Sequence, residues 1–172
     1  MTINEWSDAT AMAESVQNKT VSPRELVEAT IREAERTNPK INAIVSQRYE
    51  KALKEAETRD FSERPFAGVP IFLKDLGQEQ AGEPSTAGSR LFTSYRAKET
   101  DNYVKKLEEL GFIILGRSST PEFGFKNISD AQIHGSVNLP DDITRNAGGS
   151  SGGAAALVSS GISPLAPASG GG

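Results

Sequence analysis

A chain of 172 residues is long enough for one compact domain with a sizeable core and short for two, so one domain or a piece of one is expected. Its 19 Lys and Arg against 23 Asp and Glu leave a net charge of −4, which repels phosphate backbones and anionic lipid and argues against nucleic-acid and membrane partners. With no Cys and a single His, disulfides, thiolate metal sites and an ordinary zinc site are excluded.

The first residues, Met1 to Trp6, carry neither a basic nor an apolar leader region, and no stretch approaches the roughly 20 apolar residues that span a bilayer; a cytoplasmic protein is the expectation. Ser7 is placed to cap a first helix. Ser22-Pro23-Arg24-Glu25 has the form of a capping box with proline at the first helical position. It predicts a helix over Pro23–Arg36 with Leu26, Val27, Ala29, Ile31 and Ala34 on one side, ended by Asn38-Pro39. Ile41 to Val45 reads as a short strand, Tyr49 to Arg59 as a charged helix, and Val69 to Leu73 as a buried strand. Asp101 to Leu110 reads as a helix capped by Gly111, with a strand over Phe112 to Leu115 behind it. Strands alternating with helices give an α/β class, a mixed sheet covered by helices, and no internal repeat interrupts it.

The chain then changes character, since no charged residue follows Arg145 and eight of the 16 Gly lie beyond Ala147. Gly148 to Gly153 alone would suit a flexible linker. However, Ala154-Ala155-Ala156-Leu157-Val158 continues as a helix former, and Ile162 to Ala166 reads as a short buried strand. A Gly-rich turn feeding a helix start is the better description. Neither a Gly-x-x-x-x-Gly-Lys-Ser/Thr pattern nor a Gly-x-Gly-x-x-Gly fingerprint is present, so phosphate binding is disfavoured. The turn instead offers two hydroxyls, Ser150 and Ser151.

A serine acts as nucleophile or proton bridge only beside a base. His134, the one histidine, lies in a polar stretch that reads as a loop with a partly solvated ring, which makes a Ser/His/Asp triad a poor fit. The other base open to a serine is a lysine made neutral by burial. Lys74 ends the apolar run Val69-Pro70-Ile71-Phe72-Leu73, so its stem should enter the protein with the strand. Asp75 beside it reads as a charge partner, a solvated strand end, or an acceptor that orients a neighbouring loop.

Gly68-Val69-Pro70-Ile71-Phe72-Leu73-Lys74-Asp75, Thr86-Ala87-Gly88-Ser89, Gly116-Arg117-Ser118-Ser119-Thr120-Pro121-Glu122-Phe123-Gly124 and Gly148-Gly149-Ser150-Ser151-Gly152-Gly153 together resemble, in order and spacing, the blocks of the amidase signature family. The resemblance implies a C–N amide hydrolase acting through a Ser/Ser/Lys triad and an acyl-enzyme, on a small-molecule amide, with no metal or organic cofactor. It makes Lys74 the base and Ser150 the bridging serine after a cis peptide bond from Gly149, and it leaves Ser151 only a hydrogen bond within the turn. It puts the nucleophilic serine just past the turn Ser169-Gly170-Gly171-Gly172, with Gly171 and Gly172 as oxyanion-hole amides. Gly170 stands where family members commonly carry an acidic residue. On this reading residues 1–172 are the N-terminal portion of a single domain incomplete at its C-terminus, 1–60 a helical N-terminal region and 61–172 the start of the catalytic core. The chain by itself is then expected to be inactive, with an apolar face left open. Assembly into homo-oligomers is left open, as is the substrate. Two other readings remain: a glutaminase-type subunit of a tRNA-dependent amidotransferase, and a non-catalytic module on the same fold.

Overall fold

The computed structural model describes residues 8–170. Asp8 begins the first helix, α1 (Ala9–Gln17), with its side chain accepting from the Ala11 amide. The cap expected at Ser7 therefore sits one residue later, and Ser7 itself lies outside the described residues. At Ser22 the capping box forms in full, with Glu25 and Ser22 exchanging side-chain and backbone bonds at the start of α2 (Pro23–Ile41).

Helix α2 runs past the expected stop at Asn38-Pro39 and holds Pro39 in its last turn. Proline removes the bond to the Glu35 carbonyl, but Glu35 and Pro39 both face solvent, so water can serve that carbonyl. The helix ends at Asn42, which adopts the left-handed conformation (φ 53°, ψ 41°). Asn38 completes the stop, its Oδ1 accepting from the amides of Ala43 at 2.8 Å and Ile44 at 2.9 Å. The strand expected from Ile41 thus starts three residues later, as β1 (Ile44–Gln47), and Ile41 is a buried helical residue. The buried side of α2 is Leu26, Val27, Thr30, Ala34 and Ile41; Ala29 and Ile31 are only half-buried.

Next come α3 (Tyr49–Thr58), β2 (Pro70–Lys74), α4 (Asn102–Glu109), β3 (Ile113–Ser118) and α5 (Gly152–Ser159). The three strands stand in the order β1-β3-β2, with β1 antiparallel and β2 parallel to β3. This is a mixed sheet, and β2 and β3 are buried throughout their length. Two apolar cores divide along it with the two-residue period of a strand. Phe72, Ile113 and Leu115 join Val27, Ala34, Ala52, Ala56 and Leu157 on one side. Ile71, Leu73 and Ile114 join Met12, Leu26, Val104 and Leu107 on the other. Helices α3 and α5 thus cover one face and α1 and α4 the other, while α2 contributes Val27, Ala34 and Ile41 to the first and Leu26 to the second.

Residues 162–166 form no strand. The amides of Ile162 and Ser163 both bond the Leu157 carbonyl at the end of α5, and Pro164 has none, so this stretch has little to offer a ladder. Ile162 is nevertheless buried in the core. No helix among the described residues is long and apolar enough to cross a membrane.

Candidate active site

The ladder between β2 and β3 carries Lys74 into the protein at the strand's last register position, opposite Ser118. Its backbone is held on both sides of the residue: the Lys74 amide donates to Gln78 Oε1 at 2.8 Å, and the Asp75 amide to the Ser118 carbonyl at 3.1 Å. The side chain is 0% exposed.

The Gly-rich turn meets it from the far end of the sequence. The peptide bond from Gly149 to Ser150 is cis. Both glycines that matter here answer to close approach: a Cβ on Gly149 would stand 2.9 Å from the Ile128 backbone, and one on Gly153 would stand 2.4 Å from the Ser119 nitrogen. Helix α5 therefore seats directly on the end of β3, with the Gly152 amide donating to Ser129 Oγ at 3.2 Å. That seating presents the hydroxyls of Ser150 and Ser151 to Lys74.

Lys74 Nζ lies 2.8 Å from Ser150 Oγ, 2.9 Å from Ser151 Oγ, 2.9 Å from the Ser169 carbonyl and 3.0 Å from Ser169 Oγ. Among the described residues no carboxylate pairs with it, and burial holds the amine below the ordinary lysine range. The hydroxyls differ in what they can give. Ser151 Oγ donates to the Ser169 carbonyl at 2.8 Å and accepts from the Ser169 amide at 3.1 Å, so its proton is committed. Ser150 Oγ has only a 3.4 Å approach to that carbonyl. A neutral amine can then donate to Ser151 Oγ and the Ser169 carbonyl while its lone pair faces the Ser150 hydroxyl. Of the residues singled out in the sequence, Lys74 and Ser150 are brought together; Gly171 and Gly172 lie outside the described residues.

Ser151 does more than bond its own turn, since it touches the amine. Asp75 takes the loop-orienting role: it is 1% exposed and accepts from the Thr86 amide at 2.9 Å and from the Thr86 hydroxyl. Thr86 Oγ1 thereby spends its proton and must accept from His134 Nε2 at 3.1 Å. The histidine's partners are thus a threonine and, at 3.9 Å, the Asp75 carboxylate. Burial keeps it below its ordinary pKa, against the pull of Asp75. The loop pinned by Thr86 holds the next one, with the Phe123 amide donating to the Ala87 carbonyl at 2.8 Å. Exposed Leu91, Phe123 and Phe125 lie on these two loops.

A family model described as Amidase matches residues 25–172. The chain is 39% identical over 163 residues to the 6-aminohexanoate-cyclic-dimer hydrolase of Paenarthrobacter ureafaciens, covering 94% of this chain and 32% of that protein. A solved structure of 6-aminohexanoate cyclic dimer hydrolase superposes with a TM-score of 0.90 at 38% identity, over 96% of this chain and 34% of that one. The lipoamidase of Enterococcus faecalis is 42% identical over 167 residues, 96% of this chain and 23% of that protein. The A-subunit of the glutamyl-tRNA(Gln) amidotransferase of Chromobacterium violaceum is 33% identical over 162 residues, 91% of this chain and 33% of its own length. The chain spans about a third or less of the length of these relatives.

Proposed function

Because the chain belongs to the amidase family, the amidase-signature enzymes, we propose that the protein carrying it hydrolyses the C–N bond of a small carboxamide through an acyl-enzyme, with Lys74 as base and Ser150 as proton bridge. The observation that supports this most is the 2.8 Å contact between a buried amine, without a carboxylate partner among the described residues, and the Ser150 hydroxyl, whose own approach to the Ser169 carbonyl is a long 3.4 Å.

In this reading the attacking serine follows the 169–172 turn, and the amides of Gly171 and Gly172 receive the oxyanion, a type of donor worth about 3 kcal/mol each in other enzymes. The attacking hydroxyl gives its proton to Ser150 Oγ as Ser150 gives its own to Lys74 Nζ. The new C–O bond forms while the carbonyl π pair moves to oxygen. On collapse the proton returns through the same pair to the leaving nitrogen, which departs as an amine, and water then repeats the sequence on the ester to release the acid. No metal or organic cofactor enters these steps.

The test is an amine-release assay over a panel of simple amides, with mass spectrometry for a serine-bound acyl group, run on the 172-residue chain and on the chain extended past the turn. Turnover and an acyl adduct in the extended form alone are expected. Their absence from both would favour a non-catalytic module. The likeness to part of an amidotransferase supports a second reading, a glutaminase-type subunit. Glutamine hydrolysis that depends on a copurifying partner would select it.

A further inference from the structure

Arg117 stands next to Ser118 on β3 and pairs in register with Leu73, so alternation along the strand sends its side chain off the face opposite the Lys74–Ser118 pair. It is 2% exposed. One terminal nitrogen donates to the Lys74 carbonyl at 3.0 Å, and the other has no hydrogen-bond partner among the described residues. An arginine this buried ordinarily carries an ion pair, because an uncompensated buried charge is costly.

The acids whose fields reach Arg117 are Asp75, Glu79, Glu83 and Asp101, and each is engaged elsewhere. Asp75 holds Thr86. Glu79 accepts from the Tyr95 hydroxyl at 3.0 Å, and Asp101 from the Glu79 amide at 2.7 Å. Glu83 lines the same small cavity as Arg117, but it is shared by Lys51 and by Arg48, a second cation lining that cavity. The guanidinium is thus left as a cation directly behind the strand end that carries Lys74. On the other face the amine meets, among the described residues, the hydroxyls of Ser150, Ser151 and Ser169 and the Ser169 carbonyl.

We propose that Arg117 is a positioning residue for Lys74: it anchors the Lys74 carbonyl from behind the sheet and, as a cation without an ion pair, opposes a second positive charge on the Lys74 amine. This rests on the reading of Lys74 as the base. Burial of the amine acts in the same direction as Arg117.

The experiment is the pH dependence of kcat/KM for an amide in the intact enzyme, comparing the parent with Arg117→Gln, Arg117→Lys and Lys74→Ala, each checked for folding by thermal unfolding. The acid limb of that profile reports the base in the free enzyme. Arg117→Gln should move the limb to higher pH by about half a unit or more and lower kcat on the plateau about tenfold, whereas Arg117→Lys should leave the limb where it was. A merely structural arginine would lower activity without moving the limb, and an unmoved limb in folded Arg117→Gln overturns the proposal. If that variant does not fold, Arg117→Met takes its place under the same criterion: a limb raised by about half a unit supports the charge role, and an unmoved limb overturns it. Lys74→Ala separates the two readings, because normal turnover there removes the base itself, while an inactive Lys74→Ala beside an unmoved Arg117→Gln limb removes only the role of Arg117.

Discussion

The Lys74 amine and the Ser150 hydroxyl lie 2.8 Å apart although 76 positions separate them in the sequence. The parallel ladder of β2 on β3 fixes one end of that contact and the seating of α5 against Ser119 fixes the other. Neither element makes the site alone.

Ser150→Ala removes the hydroxyl that faces the amine without adding an atom to the turn. Acylation in the intact enzyme should fall by about 10²- to 10⁴-fold, the range for a lost proton-transfer group. The unfolding midpoint should stay close to that of the parent. Rapid single-turnover acylation with full-rate product release would contradict the role of this hydroxyl.

Gly153→Ala tests the seating of α5. In an exposed helix interior this change gains about 1 kcal/mol. Here the new methyl would stand 2.4 Å from the Ser119 nitrogen and 2.6 Å from its carbonyl oxygen, both backbone atoms that cannot swing away. A loss of about 1–3 kcal/mol in urea unfolding is expected, as for other overpacked sites. Increased stability would show that the helix does not sit where the structure puts it.

How much of this is legible in the residues depends on the distance over which each feature is decided. The Ser22–Glu25 capping box reads correctly because its partners are three residues apart. The end of α2 does not, because it turns on which side of the helix Pro39 faces and on Asn38 reaching forward to Ala43 and Ile44. Lys74 is visible as a lysine at the end of an apolar run, and Ser150 as a hydroxyl in a Gly-rich turn. Their pairing comes from the resemblance of whole blocks, since nothing local links residues so far apart. Ser151 reads only as a turn residue, and its contact with the amine emerges when Ser169 returns to the site. Arg117 gives no local signal of its burial: it lies past the strand expected over Phe112 to Leu115, and only the continuation of β3 to Ser118 with every residue buried encloses it.

Asn38→Ala would leave the amides of Ala43 and Ile44 without the acceptor that now serves both. The cost should be about 1–3 kcal/mol, the range for buried donors left unpaired. Asn38→Asp keeps an oxygen in place and should recover most of it in the same denaturant titration. Equal losses in both variants would point away from this bond pair.

His134 should make folding pH-sensitive. Its pKa in the folded protein is lowered by burial, so below the ordinary histidine range the unfolded chain binds a proton that the folded one refuses. Stability should therefore fall as pH drops through about 6.5 toward the lower folded value, and His134→Gln should flatten that part of the curve. A parent and variant with parallel stability curves between these limits would contradict the assignment.

Proton acceptance by Lys74 through Ser150 is tested by the acylation rate of Lys74→Ala in the intact enzyme, measured in a single turnover at the pH optimum of the parent. A folded protein that binds the amide and acylates slower by about 10³-fold or more is expected. Acylation at near-parental rate would contradict it, because no other amine touches the Ser150 hydroxyl among the described residues.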